Sequence, residues 1–309
     1  MATPTIEATL PSRSALSGSL LVLFAAVGFS AKAVLVKLAY AYSPKLDAIT
    51  LMSLRMLLSL PFFAVVALWS QRNGDRARLT TREIGTLAGL GILGFYLAGF
   101  LDFAGLSYIS AGLERLILFL YPTLVVIFSA LFFGRPMTRR ERIALLLSYL
   151  GIALVFGTNA LSYSPQLLLG AALVFGAALA FALYILISGS FVRRLGATRF
   201  TAYVMTGACL ATGVHFGATH SLAALALPAR IYGLALLMAV FSTVIPAFLL
   251  NAGMRRIGAN STSIISSIGP VLTLFLAYLL LGETLTPMQL AGTALVIAGV
   301  IIAGTRRAD

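Results

Sequence analysis

Charge is scarce in this sequence. Of its 309 residues only 10% are charged, against about a quarter in an ordinary soluble domain. Hydrophobic residues make up 60%, more than a water-soluble globule can bury, which excludes a cytosolic enzyme of ordinary type. Disorder needs the opposite balance. Cysteine is nearly missing: the single Cys209 allows no internal disulfide, and His215 and His220 stand in no cluster with metal-ligand spacing. No metal and no cofactor are therefore expected. The sequence also lacks an HExxH motif, a nucleophile elbow, a GxxxxGKS/T phosphate loop and a TVGYG-like filter. Catalysis by those routes, ATP hydrolysis by a phosphate loop and a potassium filter are excluded.

What is present is apolar sequence in runs. Crossing the hydrocarbon layer takes about 20 apolar residues, so the chain has room for about ten spans. Breaks of charge, proline, glycine and serine place them at 16–40, 46–69, 84–105, 110–133, 140–157, 166–190, 199–219, 230–254, 259–281 and 286–304. An all-α integral membrane protein of ten transmembrane helices is the expected fold class. Ala31-Lys32-Ala33 loosely resembles a signal-peptidase site, but the acidic Glu7 and the lack of an N-terminal basic cluster favour a retained first helix.

Acidic residues are few, nine against 22 basic, for a net charge of +13. The placement of the basic residues argues against a nucleic-acid partner. Arg13, Arg72, Arg76, Arg78, Arg82, Arg135, Arg139, Arg140, Arg142, Arg193, Arg194, Arg199, Arg255, Arg256, Arg306 and Arg307 collect on one side, leaving Lys45 and Arg230 for the other. Basic residues concentrate in cytoplasmic loops. Both termini are thus expected in the cytoplasm of a bacterial inner-membrane protein.

The chain repeats itself. A shift of 148 positions aligns 100–151 with 248–299, pairing Pro122 with Pro270, Gly134 with Gly282, Thr138 with Thr286 and Gly151 with Gly299. A shift of 152 matches the first span to the sixth, with Gly18 on Gly170, Val22 on Val174 and Phe29 on Phe181. Five helices per half is an odd number, so the second half is expected to enter the membrane inverted. The expected division is a tail at 1–15, repeats at 16–157 and 158–305, and a tail at 306–309. Inverted repeats are the architecture of secondary transporters, with substrate bound near mid-membrane between the halves. A duplicated scaffold without transport is the plainer alternative.

Candidate cavity residues follow from the polar faces. Thr262, Ser266, Gly269, Pro270 and Thr273 fall on one face of the ninth span. Glu114, Leu118, Tyr121, Pro122, Val125 and Ser129 form the matching stripe on the fourth. For any one of these hydroxyls close helix packing is a better explanation than ligand contact. Both stripes centre on a proline that can bend its helix. Tyr96 lines a cavity or simply packs. Gly85 with Gly89, and Gly94 with Ala98, have the small-xxx-small spacing of close helix contacts. Of the intramembrane charges, Lys32 and Arg55 sit deepest and either meet a substrate carboxylate or balance Glu114. Asp102, Glu114, Arg115 and Lys37 fall toward span ends; Asp102 or Glu114 is a proton carrier or half of a structural clamp, and Lys37 snorkels.

The stretch Asn260–Gly304 carries a hydroxyl-bearing helix, a mid-span Pro270, the turn Leu281-Gly282-Glu283-Thr284-Leu285-Thr286 and a glycine-bearing last helix. It resembles the end of an EamA repeat, and Ser110–Gly157 follows the pattern more loosely, with Gly134-Arg135-Pro136-Met137-Thr138 at the turn. The resemblance covers essentially the whole chain and implies the drug/metabolite transporter superfamily: two inverted EamA repeats exporting small metabolites. Within it the chain is most similar to amino-acid exporters of YddG type, which handle aromatic and other neutral amino acids. Lys32 or Arg55 with Ser266 would then hold the carboxylate, Glu114 or Asn251 the ammonium, and Tyr96 and Tyr121 the side chain. Export of drugs or lipophilic cations on the same fold is the alternative, with a passive channel or intramembrane enzyme behind it. The expected partners are a small-molecule substrate and the lipid bilayer.

Overall fold

The computed structural model describes residues 13–72, 79–134, 136–157, 164–266 and 268–304. Arg76, Arg78, Arg135, Arg306 and Arg307 of the charge argument lie outside them, as does Glu7. The described chain is helical and contains no strand: α1 (Arg13–Tyr42), α2 (Ala48–Arg72), α3 (Thr81–Gly91), α4 (Ala98–Leu106), α5 (Ala111–Leu118), α6 (Tyr121–Phe133), α7 (Arg139–Gly157), α8 (Pro165–Leu195), α9 (Ala197–Thr219), α10 (Ala229–Ala239), α11 (Ile245–Ser266), α12 (Gly269–Leu281) and α13 (Pro287–Gly304). Wider π-helical turns at Ile92–Leu97 and Val240–Val244 join α3 to α4 and α10 to α11. Six stretches are long and apolar enough to cross a bilayer, among them Leu16–Tyr42, Thr81–Leu106 and Pro165–Leu195. One expected break is not seen as a loop: α11 stays helical through 255–258. Apart from Gly258 those residues are good helix formers, and Arg256 Nη1 donates to Ser17 Oγ of α1 at 3.1 Å.

Helix ends follow local chemistry. Thr80 and Glu83 cap α3 reciprocally. Thr138 does the same with Glu141 at α7, and Thr286 exchanges bonds with Gln289 at α13. Gly134 and Gly282, at φ 61° and 65°, end α6 and α12 in the left-handed conformation. Pro122 and Pro270 sit in the first turns of α6 and α12, after short breaks at 119–120 and 268. The proline therefore opens a new helix instead of bending a continuous one, because its missing N–H costs nothing there.

The Thr138/Thr286 and Gly134/Gly282 ends recur 148 residues apart, and so do the π-turns, which begin at Ile92 and Val240. Packing repeats as well. A Cβ on Gly253 would stand 2.5 Å from Val22 Cγ2 and 2.9 Å from the Gly18 carbonyl oxygen; on Gly105 it would stand at those same distances from Val174 Cγ2 and the Gly170 carbonyl. The first helix of each repeat thus packs on the third rod of the other: α1 on α11, and α8 on α4. The equivalent helices α7 and α13 touch directly, Gly151 at Gly292 and Gly299 at Ala144, so they run antiparallel. Not every small-residue face packs as expected. Gly85 and Gly89 have open space where a Cβ would stand, whereas Gly94 lies against the Tyr184 side chain.

Candidate transport site

The second π-turn and α4 approach the same guanidinium. Arg55 of α2 is 7% exposed. Its Cζ stands 4.8 Å over the Phe103 ring, and its Nη1 donates to Thr243 Oγ1 at 3.4 Å. Thr243 belongs to the second π-turn and donates its own hydroxyl to the Met238 carbonyl at 2.9 Å, satisfying an acceptor that the widened turn frees. Gly99, one turn before Phe103, leaves room beside Arg55: a Cβ there would stand 3.7 Å from Nη2. Two polar atoms in this region, Arg55 Nε and Ser242 Oγ, are buried and have no partner. No carboxylate lies within ion-pair distance of Arg55 among the described residues.

Tyr96 occupies the other π-turn, on the same face of its rod as Gly99 and Phe103. Its hydroxyl shares a hydrogen bond of 2.9 Å with His215 Nδ1, and the His215 ring meets Tyr96 and Phe100 edge-on at 5.7 and 5.2 Å. One rod thus carries both the Gly99–Phe103 seat of the Arg55 guanidinium and the aromatic group of Tyr96, Phe100 and His215.

Lys32 is differently engaged. Its Nζ lies 2.5 Å from Asp102 Oδ2 and 3.5 Å from Glu114 Oε1. Glu114 is fully buried and Asp102 nearly so. Ions in hydrocarbon are expensive and pair with one another, so Lys32 is committed to Asp102 and Glu114. Lys37, expected to snorkel, donates to the Leu106 carbonyl at 3.2 Å.

The remaining candidates divide. Thr273 donates to the Ser30 carbonyl of α1 at 3.2 Å, and Ser30 Oγ donates to the Gly269 carbonyl at 3.1 Å. These bonds bind α12 to α1, the helix-packing role. Pro270 and Thr262 are buried; Pro122, Asn251 and Ser266 are half-buried. Tyr121 meets Phe181 edge-on at 5.0 Å. The structure thus joins Lys32 to Glu114 and places Arg55 and Tyr96 beside one rod, while Thr273 serves packing. Sequence reasoning passed over Ser242, Thr243, Ser30 and Glu283 as site residues. The 148-residue register would have matched the two π-turns, yet neither contains a glycine–proline signal that marks a widened turn.

This is a multi-pass membrane protein of transporter architecture. The model of the EamA-like transporter family matches residues 16–157 and again 168–305, and the chain belongs to that family. It is similar to "Uncharacterized transporter YcbK" of Bacillus subtilis, 32% identical over 291 residues covering 91% of this chain and 90% of that protein. "Uncharacterized transporter YyaM" of the same organism is 28% identical over 217 residues, 69% of this chain and 71% of the relative. An "Uncharacterized transporter" of Archaeoglobus fulgidus is 24% identical, covering 85% of this chain and 90% of the relative. One solved crystal structure aligns with a TM-score of 0.63 at 17% identity, covering 93% of this chain and 96% of the other, and shares the fold.

Proposed function

We propose that this transporter exports small metabolites, foremost amino acids, aromatic and other neutral ones, across the bacterial cytoplasmic membrane by alternating access. Its two halves are read as inverted five-helix bundles with both termini in the cytoplasm. The imbalance of basic residues between loops and the antiparallel packing of α7 on α13 support this reading. The carrying observation is the buried Arg55, held by Thr243 and Phe103 with no carboxylate partner among the described residues. A substrate carboxylate would complete its fork, since charged groups bury well only when paired. Of the two deepest cations, Lys32 is committed to Asp102 and Glu114, and Arg55 remains for that role. Ser242 would add a hydroxyl, and Tyr96 with Phe100 a wall for an apolar side chain. The ammonium would fall to Asn251, the Asp102–Glu114 region or backbone carbonyls freed at the π-turns. Tyr121, Ser266 and Pro270 form the outlying part of the site, near the breaks about which the halves would rock.

The test is counterflow of labelled phenylalanine in proteoliposomes. Wild-type protein should show saturable uptake stimulated by trans substrate, which a pore does not. Arg55→Gln should reduce uptake at least tenfold, the loss of a charge-assisted pair of about 1.5–3 kcal/mol. Alanine at Tyr121, Ser266 or Pro270 should reduce it less. Unchanged rates in all four variants would discard this site. Competition by tetraphenylphosphonium instead of amino acids would favour the lipophilic-cation alternative.

A further inference from the structure

We propose that Asp102 and Glu114 form a carboxyl pair that binds one exchangeable proton beside Lys32, and that this proton is the ion the transporter moves. The argument begins with unsatisfied atoms. Asp102 is 2% exposed and Glu114 is 0% exposed, yet Asp102 Oδ1 and Glu114 Oε2 are both buried without a partner. Buried polar atoms left unpaired cost about 1–3 kcal/mol each, more when charged. Lys32 Nζ touches both side chains, Asp102 Oδ2 at 2.5 Å and Glu114 Oε1 at 3.5 Å, so a single ammonium draws the two carboxyl groups together. Two carboxylates so close repel unless a proton lies between them. One added proton turns that repulsion into an O–H donated from one carboxyl to the other, and gives the unsatisfied oxygens a partner.

The surrounding charges leave this need standing. Lys32 of α1 is the only cation in contact with the pair among the described residues, and it is shared unequally, 2.5 Å from Asp102 and 3.5 Å from Glu114. Arg55 of α2 faces Asp102 from farther off and is occupied by Phe103 and Thr243. Arg115 of α5 faces Glu114 at long range, its guanidinium lying against Gly269. From α1, Lys37 is turned to the Leu106 carbonyl and the Tyr40 hydroxyl to the Phe103 carbonyl. One ammonium is thus asked to hold two acids.

The proton balance is simple. Uptake from water converts the dicarboxylate to a pair holding one proton, and release restores the dicarboxylate with Lys32 still on Oδ2 and Oε1; no bond other than O–H forms or breaks. Lys32 is on α1 and the two acids are on α4 and α5, so movement between these rods changes how firmly the ammonium competes with the proton. That is the coupling a carrier requires. The register equivalents of Lys32, Asp102 and Glu114 in the second half are Tyr184, Leu250 and Thr262, so the device belongs to one half alone.

Proton binding is tested without any substrate, and so independently of the amino-acid reading, which only the coupling half of the proposal needs. Infrared difference spectra of the purified protein in nanodiscs, recorded across a pH titration, should contain a protonated-carboxyl C=O stretch. Glu114→Gln and Asp102→Asn should each abolish the titrating band. No such band in the wild type, or a band unchanged in both variants, overturns the site; using two variants covers the failure of either one to fold. Coupling is then read in wild-type vesicles loaded with a pH dye and given a phenylalanine gradient. Phenylalanine flux without a change in lumen pH overturns the coupling. A titrating band with no phenylalanine flux sinks the amino-acid reading and leaves the proton site intact.

Discussion

The backbone N–H of Ala111 donates to Glu283 Oε1 at 2.9 Å, and the neighbouring N–H of Gly112 donates to Oε2 at 3.3 Å. Glu283 lies in the turn after α12, in the second repeat; Ala111 and Gly112 open α5, in the first. A carboxylate at a helix N-terminus satisfies orphan donors and meets the positive end of the helix dipole. Gly112 holds the two elements close, since a Cβ there would stand 2.6 Å from Leu274 Cδ2. Glu283 thus fastens the two halves together one turn from Glu114.

Glu283→Ala should loosen this end of the bundle. The loss of a charged cap costs about 1–2 kcal/mol, read as a lower thermal midpoint in detergent. A cysteine at Ser110, introduced with Cys209→Ala, should react faster with a water-soluble maleimide when Glu283 is replaced. Glu283→Gln, which keeps one acceptor, should fall between. Equal labelling rates in all three backgrounds would mean that the fastening does not hold this end shut.

Much of this fold was legible in the sequence because a membrane makes sequence simple. Apolar runs mark most of the helices, and the paired Pro122/Pro270, Gly134/Gly282 and Thr138/Thr286 mark the repeat through residues whose backbone chemistry is restrictive. The site was less legible. Arg55, Lys32, Glu114 and Tyr96 drew notice as polar groups in apolar surroundings, but which acid meets which base depends on how rods turn against one another. Lys32 and Asp102 are 70 positions apart, and nothing local predicts their contact. Glu283, in the turn at Leu281–Thr286, is partnered by a pair of backbone amides, which no side-chain pattern reveals. Gly85 and Gly89 erred the other way, since their spacing matched a packing rule that their position does not use.

Glycine substitution should separate close approach from composition. Gly253→Val and Gly105→Val should both prevent accumulation of folded protein, as each inserts atoms into the equivalent contact of its repeat. Gly89→Ala meets nothing within 4 Å and should be neutral or stabilising by up to about 1 kcal/mol from helix propensity. Monodisperse yield after size exclusion reads both. A well-behaved Gly253→Val would refute the close contact of α1 with α11.

Topology is open to direct labelling. With Cys209→Ala as background, single cysteines at Thr138 and Gln289 occupy equivalent turns of the two repeats. Under the inverted arrangement a membrane-impermeant maleimide added to intact cells should label Gln289→Cys and spare Thr138→Cys until the membrane is opened. Labelling of both from one side would contradict the inversion, and with it the rocking mechanism.

Lys32 offers a stability test of the ion cluster that does not depend on transport. Lys32→Met leaves Asp102 and Glu114 buried with no cation in contact, and breaking a buried pair by removing one partner costs about 3–5 kcal/mol. The cost arises from the acids left behind, so removing charge from them should recover most of it. Lys32→Met combined with Asp102→Asn should therefore melt well above Lys32→Met alone. Asp102→Asn alone, which leaves Lys32 in contact with Glu114, should lose less than Lys32→Met. The four proteins form a double-mutant cycle, whose coupling should exceed the roughly 0.3–0.5 kcal/mol within which independent sites add. Additive losses would show that Lys32 and Asp102 stabilise the bundle separately, and that their 2.5 Å contact contributes nothing as a pair.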